Sequence, residues 1–312
     1  MQSINAGSFV FMLKLKMSKI AAIFLFFIII IPLHTAFAAV DKIKVVATIT
    51  PLADFAKQVG GDKIEVILLL PPGASPHTYE PTPKIIRAIS EAKIFLKIGT
   101  GLEFWADRII KTASAKISIV DSSAGVDLIK DTRHSHHSGH NNHGNADPHI
   151  WLDPLICMEI IKKIETALSK ADPLNALYYR KNAAAYCDKL RKLDKEIADK
   201  TKLFRNREYV TFHSAWNYFS RRYGLKVAAV IEEGPGKEPS PRHIKKIMEE
   251  LKRFNTRVIF AEPQFSPKIA ETIAREAGAQ VLFLDPIGGQ KDKETYIEMM
   301  QYNLAIMAKA LK

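Results

Sequence analysis

The sequence is poor in cysteine, with two residues in 312. That is too few for the disulfide framework of a small secreted domain. Acidic residues are also in the minority, 33 against 45 lysines and arginines, which gives a formal net charge of +12. After the first 40 residues, no apolar run is long enough to span a membrane. Hydrophobic residues nevertheless make up 47% and charged residues 25% of the chain, which is typical of a globular protein and excludes a mostly disordered or fibrous one.

Common catalytic and nucleotide-binding signatures are missing as well. The chain has neither H-E-x-x-H nor G-x-S-x-G. Gly234–Glu238 (GPGKE) lacks the serine or threonine and the glycine spacing of a phosphate-binding loop, and Gly99–Gly101 is too short for a dinucleotide fingerprint. We interpret both glycine segments as turns.

The basic residues are dispersed along the chain and interleaved with acidic ones at helical spacing. Nucleic-acid-binding domains instead concentrate basic residues on one face, often with stacking aromatic side chains. The pattern therefore predicts a solvated basic surface and no nucleic-acid partner.

The N-terminus has the three parts of an export signal. Residues 1–38 carry Lys14, Lys16 and Lys19 with no acidic residue, then the apolar run Ile20–Pro32 and an Ala-x-Ala box ending at Ala38. We predict a signal peptide cleaved after Ala38 and a periplasmic location. The alternative is an uncleaved membrane anchor, but the apolar run is short for a span of about 20 residues. Since no cysteine lies near the cut, we expect no lipid anchor.

The rest of the chain predicts two α/β units, because apolar runs rich in β-branched residues alternate with helical patterns, which favours parallel sheets covered by helices. In the first unit, residues 39–152, the predicted strands and helices are Lys44–Thr50, Lys63–Leu70, Ile94–Ile98 and Ile117–Val120 (strands), and Pro51–Val59, Pro83–Glu91 and Glu103–Thr112 (helices). In the second unit, residues 206–312, they are Tyr209–Phe212, Lys226–Ile231, Arg257–Ala261 and Val281–Leu284 (strands), and Ala215–Tyr223, Pro241–Arg253, Ser266–Ala277 and Lys293–Ala310 (helices).

Residues 153–205 between the units predict a helical hairpin. Asp153-Pro154 and Asp172-Pro173 each have the form of an N-cap followed by proline at the first helical position. The second helix, without glycine or proline from about 173 to 203, has a predicted length of about 45 Å and would join the two units stiffly. Cys157 and Cys187 lie about equally far from the hairpin turn, so in an oxidising compartment they form either a disulfide or two buried free thiols.

Histidines are distributed unevenly. Five of the ten crowd into the polar, glycine-containing segment 133–146: His134, His136, His137, His140 and His143. Imidazole is a good ligand for zinc, copper and nickel. We interpret this segment as a flexible loop that binds such ions weakly, the alternative being a polar spacer.

Three other histidines and one aspartate lie at or just beyond predicted strand ends, where α/β proteins place binding sites. They are His77, His149, His213 and Asp285. Three imidazoles and a carboxylate suit tetrahedral zinc, although each residue taken alone also fits a structural role. His243 is predicted to be a surface residue of a helix.

These residues stand in strings that resemble one protein family over essentially the whole chain after the signal peptide. The strings are GASPHTYEPTP, DPHIWLDP, TFHSAWNYF, EEGPGKEPSP and LDPIGG. Together they resemble the metal-binding solute-binding proteins of zinc and manganese ABC importers, the ZnuA/TroA type. The resemblance implies two α/β lobes joined by one long rigid helix, with a metal ion in the cleft between the lobes. It also implies a monomer that delivers its ion to a membrane permease and its ATPase.

Matched position by position, the resemblance implies that the ligands are His77, His149, His213 and Asp285. Manganese-binding members commonly have glutamate where this chain has His213, so a nitrogen ligand here favours Zn²⁺ as the transported ion over Mn²⁺. Some zinc-binding members carry a glutamate before the first ligand histidine, but this chain has Pro76, which leaves Asp285 as the expected fourth ligand.

Three alternatives remain at this point. One is a manganese receptor of the same type. Another is a secreted zinc-dependent hydrolase, which would need an open coordination position and a base such as Glu262. The last is a metal-binding adhesin, which the periplasm-type signal and the expected lack of a lipid anchor disfavour. The resemblance predicts a binding protein and no enzyme.

Overall fold

The structure is a computed structural model, and it describes residues 42–106, 109–110, 117–130, 146–234 and 236–312. The predicted signal peptide and the five histidines of the predicted loop lie outside the described residues. Residues 42–312 form one unit. None of the helices described in this unit is long and apolar enough to cross a membrane.

The first sheet is built from four parallel strands, as the alternating pattern predicts. Its strands are β1 (Ile43–Ala47), β2 (Ile64–Leu68), β3 (Ile94–Lys97) and β4 (Ser118–Asp121), and their spatial order is β2-β1-β3-β4. Helices α1 (Thr50–Gly60) and α2 (Pro83–Glu91) connect the first three strands. Part of the predicted helix Glu103–Thr112 lies outside the described residues.

The second sheet repeats this topology. It contains β5 (Glu208–Thr211), β6 (Lys226–Val230), β7 (Val258–Ala261) and β8 (Gln280–Phe283), all parallel, in the order β6-β5-β7-β8. The direction of strand succession reverses between β1 and β3 and again between β5 and β7. In open parallel sheets, ligands bind beyond the carboxyl ends of strands at such reversals.

A helical hairpin connects the two sheets in sequence. α3 (Pro154–Ala171) begins at Asp153, whose side chain accepts a hydrogen bond from the backbone N–H of Leu155. A 3₁₀ turn at Pro173–Asn175 leads into α4 (Ala176–Thr201), an uninterrupted helix of 26 residues. At 1.5 Å per residue α4 is about 39 Å long. It starts three residues later than predicted because Pro173 begins a 3₁₀ turn.

The second lobe contains the remaining helices, which are α5 (Asn217–Tyr223), α6 (Pro241–Arg253), α7 (Lys268–Ala277) and α8 (Tyr296–Leu311). The α6 bounds match the prediction. α8 begins three residues after the predicted Lys293, because the side chain of Thr295 caps the helix and exchanges hydrogen bonds with Glu298 in a capping box.

Both sheets and the hairpin share one large hydrophobic core. It includes Phe55 of α1, Trp151 and Tyr179 near the hairpin, and Trp216 and Phe260 of the second lobe. Two further clusters fill the outer faces of the sheets. The lobes are thus joined by packed side chains as well as by α4.

Buried hydrogen bonds also cross between the lobes. The Asp54 carboxylate of α1 accepts from the Tyr186 hydroxyl of α4 and from the backbone N–H of Tyr296 in α8, both at 2.9 Å. The Trp151 indole donates to the carbonyl oxygen of Pro286 at 2.7 Å, and the Tyr296 hydroxyl donates to the carbonyl oxygen of Trp151 at 2.9 Å.

For the cysteine pair the sequence left a disulfide and two buried free thiols open. Cys157 and Cys187 are buried free thiols, and the Cys157 thiol instead donates to the carbonyl oxygen of Trp151 at 3.1 Å. Burial raises the pKa of both thiols and so keeps them protonated. They contribute to core packing between α3 and α4.

Candidate metal centre

Three of the four predicted site residues meet at one point. His77 Nε2 lies 3.1 Å from His149 Nε2, and His213 Nε2 lies 3.2 Å from the same atom. One ring nitrogen from each of the three lies within 4.8 Å of the others. Two nitrogen ligands at 2.0–2.1 Å from a tetrahedral zinc ion are about 3.3 Å apart. The three imidazoles therefore already have nearly the spacing that one such ion requires.

The topology of the second sheet explains the position of His213. This residue lies two positions after β5, and Glu262 directly follows β7, so both occupy the point where the strand order reverses. The His213 Nδ1 lies 2.7 Å from Glu262 Oε1 and 2.6 Å from Oε2. A carboxylate only accepts, so Nδ1 carries the hydrogen and Nε2 presents its lone pair to the other histidines.

His149 is oriented in the same way by its neighbour Asp147. The Asp147 Oδ1 accepts from the backbone N–H of His149 at 2.9 Å and from its Nδ1 at 2.7 Å. The other carboxylate oxygen accepts from Asn217 at 2.9 Å. Both buried histidines thus have a carboxylate on the far side of the ring, which fixes the tautomer and makes Nε2 a better donor to a metal.

The two buried histidines differ in their affinity for protons. Burial lowers the pKa of His149, and the nearby Asp147 only partly opposes this. Burial also acts to lower the pKa of His213, but Glu262 and the carboxylates of Glu232 and Asp147 outweigh it, so this pKa is raised. Of these two histidines, His213 is therefore the one at which protons compete more strongly with a metal.

His77 comes from the first lobe, in the loop that follows β2, and is half-buried. Its ring centroid lies 5.2 Å from that of His149 and 5.5 Å from that of His213. The cluster therefore combines His77 from a first-lobe loop and His149 with a residue that follows a strand of the second sheet.

Asp285, the fourth predicted residue, lies outside this cluster. Its fully buried carboxylate pairs with the buried ammonium of Lys293 at 2.9 Å. It also accepts from Gln264 at 3.1 Å and from the backbone N–H groups of Ile287 and Gly288 at 3.1 and 2.9 Å. Burial alone would raise the pKa of Asp285, but Lys293 and the backbone donors hold it below its usual range. In the structure the Asp285 carboxylate thus contacts Lys293 and these donors, and it is not part of the histidine cluster.

His243 is also outside the cluster, but it is more than a simple surface residue. It is half-buried, its Nε2 donates to the carbonyl oxygen of Val230 at 2.8 Å, and its Nδ1 lies 3.7 Å from Glu233. It thereby fixes the segment that follows β6. The sequence does not indicate this contact, because it forms between a helix and the last residue of β6, 13 residues earlier.

Asp147 and Gln264 were not identified from the sequence, and Glu262 was considered only as a base. Asp147 lies within the DPHIWLDP string, and Glu262 stands at a strand end, so position could have pointed to both. Gln264, in the loop after β7, has no comparable signal in the sequence.

A cavity of about 230 Å³ leads from the surface to the three histidines. Its wall includes the exposed Phe104 of the first lobe, and Glu232, Glu233 and Phe265 of the second. The cluster is thus reached from an opening bordered by both lobes. A charged ion can enter here beside two carboxylates.

Comparison with known proteins identifies related chains. Residues 45–310 match the family model ZnuA, described as "Zinc-uptake complex component A periplasmic". The high-affinity zinc uptake system protein ZnuA of Bacillus subtilis (strain 168) is 35% identical over 281 residues, which cover 87% of this chain and 88% of that protein. The zinc-binding protein AdcA of Streptococcus pyogenes serotype M1 is 32% identical over 285 residues. That match covers 85% of this chain but only 55% of AdcA, so this chain spans about half of that relative.

Solved structures show the same fold. A ZnuA deletion mutant with zinc bound has a TM-score of 0.76 and 31% identity, over 87% of this chain and 99% of that one. The laminin-binding protein Lmb of Streptococcus agalactiae, described as a bifunctional protein with adhesin and metal-transporting activity, also has a TM-score of 0.76 and 31% identity, over 87% and 100% of the two chains.

Proposed function

This chain belongs to the ZnuA family of zinc-uptake components, and on that premise we propose that it binds Zn²⁺ through His77, His149 and His213 and delivers the ion to the permease of an ABC importer. The observation that carries the proposal is the convergence of three imidazole nitrogens within 4.8 Å. The family is periplasmic by its description, which agrees with the predicted export of this chain. A cleavage after Ala38, the lack of a lipid anchor and a monomeric state are part of the proposal.

The donor set supports zinc over manganese as the cargo. Three neutral imidazoles are borderline-soft ligands that suit zinc, whereas manganese prefers oxygen donors. Glu262 and Asp147 supply negative charge behind two of the rings without occupying a ligand position themselves. The related proteins named for zinc, and a neighbouring structure with zinc bound, support the same choice.

The histidine-rich segment 133–146 is proposed as an accessory binder. The composition of this segment predicts a flexible loop, and ordering such a loop around an ion costs conformational entropy that a preformed site avoids. The loop is therefore expected to take up extra zinc weakly and to leave the tight site unchanged when His134–His143 are deleted.

The other function classes are less well supported. The family consists of solute-binding transport proteins rather than enzymes, so the hydrolase alternative has no support. The structural neighbour Lmb is described as having adhesin activity together with metal transport, so in that protein the two activities coexist. Metal uptake accounts for the histidine cluster in this chain, and adhesion does not.

The proposal is tested by metal analysis of the exported protein. Full-length chain is expressed in a Gram-negative host, purified from the periplasm without chelators and measured by elemental analysis. We expect about one tightly held zinc per chain after mild dialysis has removed weakly bound zinc. Manganese in tenfold excess should not displace it. Protein that retains manganese instead of zinc, or no metal at all, would contradict the proposal.

A further inference from the structure

A helix of the second lobe holds the segment that carries His149. Asn217, the first residue of α5, donates from its side-chain amide to Asp147 Oδ2 at 2.9 Å. The next residue, Tyr218, is fully buried, and its hydroxyl donates to the carbonyl oxygen of Asp147 at 3.0 Å. Asp147 in turn orients His149 through its other carboxylate oxygen. The position of His149 therefore depends on contacts that α5 makes.

Asn217 also contacts the segment that carries His213. Its side-chain nitrogen lies 3.4 Å from the carbonyl oxygen of Ser214, the residue directly after His213. A carboxylate and a carbonyl oxygen only accept hydrogen bonds, so the amide orientation is fixed, and the nitrogen has two hydrogens with which to donate to both. The Asn217 amide thus joins the chain segments of the two buried histidines.

The other end of α5 is fixed to the long helix α4. Arg222 donates to both carboxylate oxygens of Asp194 in α4, at 2.8 and 2.7 Å. Two parallel hydrogen bonds between a guanidinium and a carboxylate fix the orientation of the pair as well as adding attraction. The hydroxyl of Tyr223 donates to the same carboxylate at 3.0 Å. Asn217 therefore extends from a helix that is itself anchored.

We propose that Asn217 is a positioning residue that fixes the spacing of His149 and His213 by holding their chain segments together. A metal site must be held within about 0.5 Å of its productive geometry by the contacts behind the ligands, and the two Nε2 atoms here lie 3.2 Å apart. Asn217 acts through Asp147 and the carbonyl group of Ser214, and so differs in role from a metal ligand. This inference rests on the proposed function and adds a residue that supports the same site.

The test compares Asn217→Leu with Asn175→Leu. Asn175 is a matched control, because its side chain is also half-buried and donates to a carboxylate, that of Asp172 at 2.6 Å, in the turn between α3 and α4. Leucine has nearly the size of asparagine but cannot donate. Zinc affinity is measured by competition with a chromophoric chelator, and folding is checked by thermal unfolding.

We expect Asn217→Leu to weaken zinc binding about tenfold, the lower end of the range for groups that support metal ligands, and Asn175→Leu to leave it unchanged. Asn217→Ala is a second variant, because alanine also removes the donor but needs less space, and it should weaken zinc binding similarly. Wild-type zinc affinity in both Asn217 variants would overturn the proposal.

The visible spectrum of Co²⁺-loaded protein gives a second readout, because it depends on the geometry of the ligands around the ion. A residue that only stabilised the fold would leave this spectrum unchanged. We expect the spectrum to change in Asn217→Leu and to stay as in the wild type in Asn175→Leu. An unchanged spectrum in Asn217→Leu would contradict a positioning role.

A double-mutant cycle tests whether Asn217 acts through Asp147. The connection between the two segments is lost when either end is removed, so Asn217→Leu added to Asp147→Ala should weaken zinc binding no further. Additive losses would show that Asn217 acts by another route, and the inference fails. The proposed function fails separately, when alanine variants of the three histidines retain tight zinc binding.

Discussion

At the scale of single residues, the site depends on pairs in which a carboxylate supports a histidine. Asp147 and Glu262 accept from Nδ1 of His149 and His213, and so direct both Nε2 atoms to the same point. The same hydrogen bonds make the site sensitive to pH, because the carboxylate that makes a better metal ligand also favours the protonated ring.

Zinc binding is expected to weaken on acidification, first through His213. Its pKa is raised above the usual 6.5 by Glu262, whereas burial keeps His149 neutral to lower pH. A proton and the metal compete for the same nitrogen, so the zinc dissociation constant should begin to rise above pH 6.5 as the pH falls. In Glu262→Gln that rise should begin at lower pH, with weaker binding at pH 8. Chelator competition between pH 5.5 and 8 measures both, and an unchanged pH midpoint in Glu262→Gln would contradict this explanation.

The His213–Glu262 pair makes the stability of the metal-free protein depend on pH in the opposite direction to zinc binding. A raised pKa in the folded state means that the protonated pair of His213 with Glu262 stabilises the fold in acid, and that this contribution is lost as the pH rises through the folded-state pKa. Zinc should therefore raise the melting temperature more at pH 8 than at pH 6.

The site residues that could be predicted from the sequence are those that lie at strand ends or in recognisable motifs. His213 and Glu262 lie where β5 and β7 end, and His77 and His149 stand in loops with recognisable strings. The pairing of Asp285 with Lys293 was not predictable in this way. It depends on how the loop of residues 284–295 folds back, which is decided by capping at Thr295 and by the hydrogen bonds that Ile287 and Gly288 donate to Asp285.

At the scale of elements, helices from both lobes meet around the buried Asp54. This carboxylate of α1 accepts from Tyr186 of α4 and from the first backbone N–H of α8. It thereby caps α8 from another part of the chain, which places negative charge at the N-terminus of that helix.

Asp54→Ala should lower the free energy of unfolding by about 1–3 kcal/mol, because the Tyr186 hydroxyl and the Tyr296 N–H lose a buried acceptor. Asp188→Ala is the control, since Asp188 is an exposed residue of α4 that pairs with Arg191; it should change stability by less than about 0.5 kcal/mol. Urea denaturation measures both. Equal small effects would show that the buried carboxylate contributes no more than a surface one.

The cysteine pair provides another test at this scale. Because Cys157 and Cys187 are free in the structure, the unfolded, unreduced protein should show two reactive thiols in a colorimetric titration. No reaction before reduction, and two thiols after it, would show that the bridge forms in the exported protein.

Element types followed from periodicity, while several boundaries did not. The pattern correctly predicts both parallel sheets and the long α4. Helices α5, α7 and α8 each begin two or three residues later than predicted, because the turns at Trp216, Pro267 and Thr295 precede them. Such turns depend on local capping that apolar spacing does not reveal.

At the scale of the whole molecule, one core and one uninterrupted helix join the lobes. α4 has neither glycine nor proline, and side chains from both sheets pack in the same core. We therefore expect metal-free and zinc-loaded protein to have the same radius of gyration by small-angle scattering, within error. A marked decrease on zinc binding would show that the lobes close around a hinge that the packed core does not suggest.

The zinc affinity of the triple alanine variant of His77, His149 and His213 shows whether these three residues form the tight zinc site. Wild type, the triple variant and His243→Ala are titrated by chelator competition at pH 7.5, with thermal unfolding as a check on folding. We expect the folded triple variant to lose tight binding and His243→Ala to stay close to wild type. Tight binding of one zinc by the triple variant would contradict this assignment.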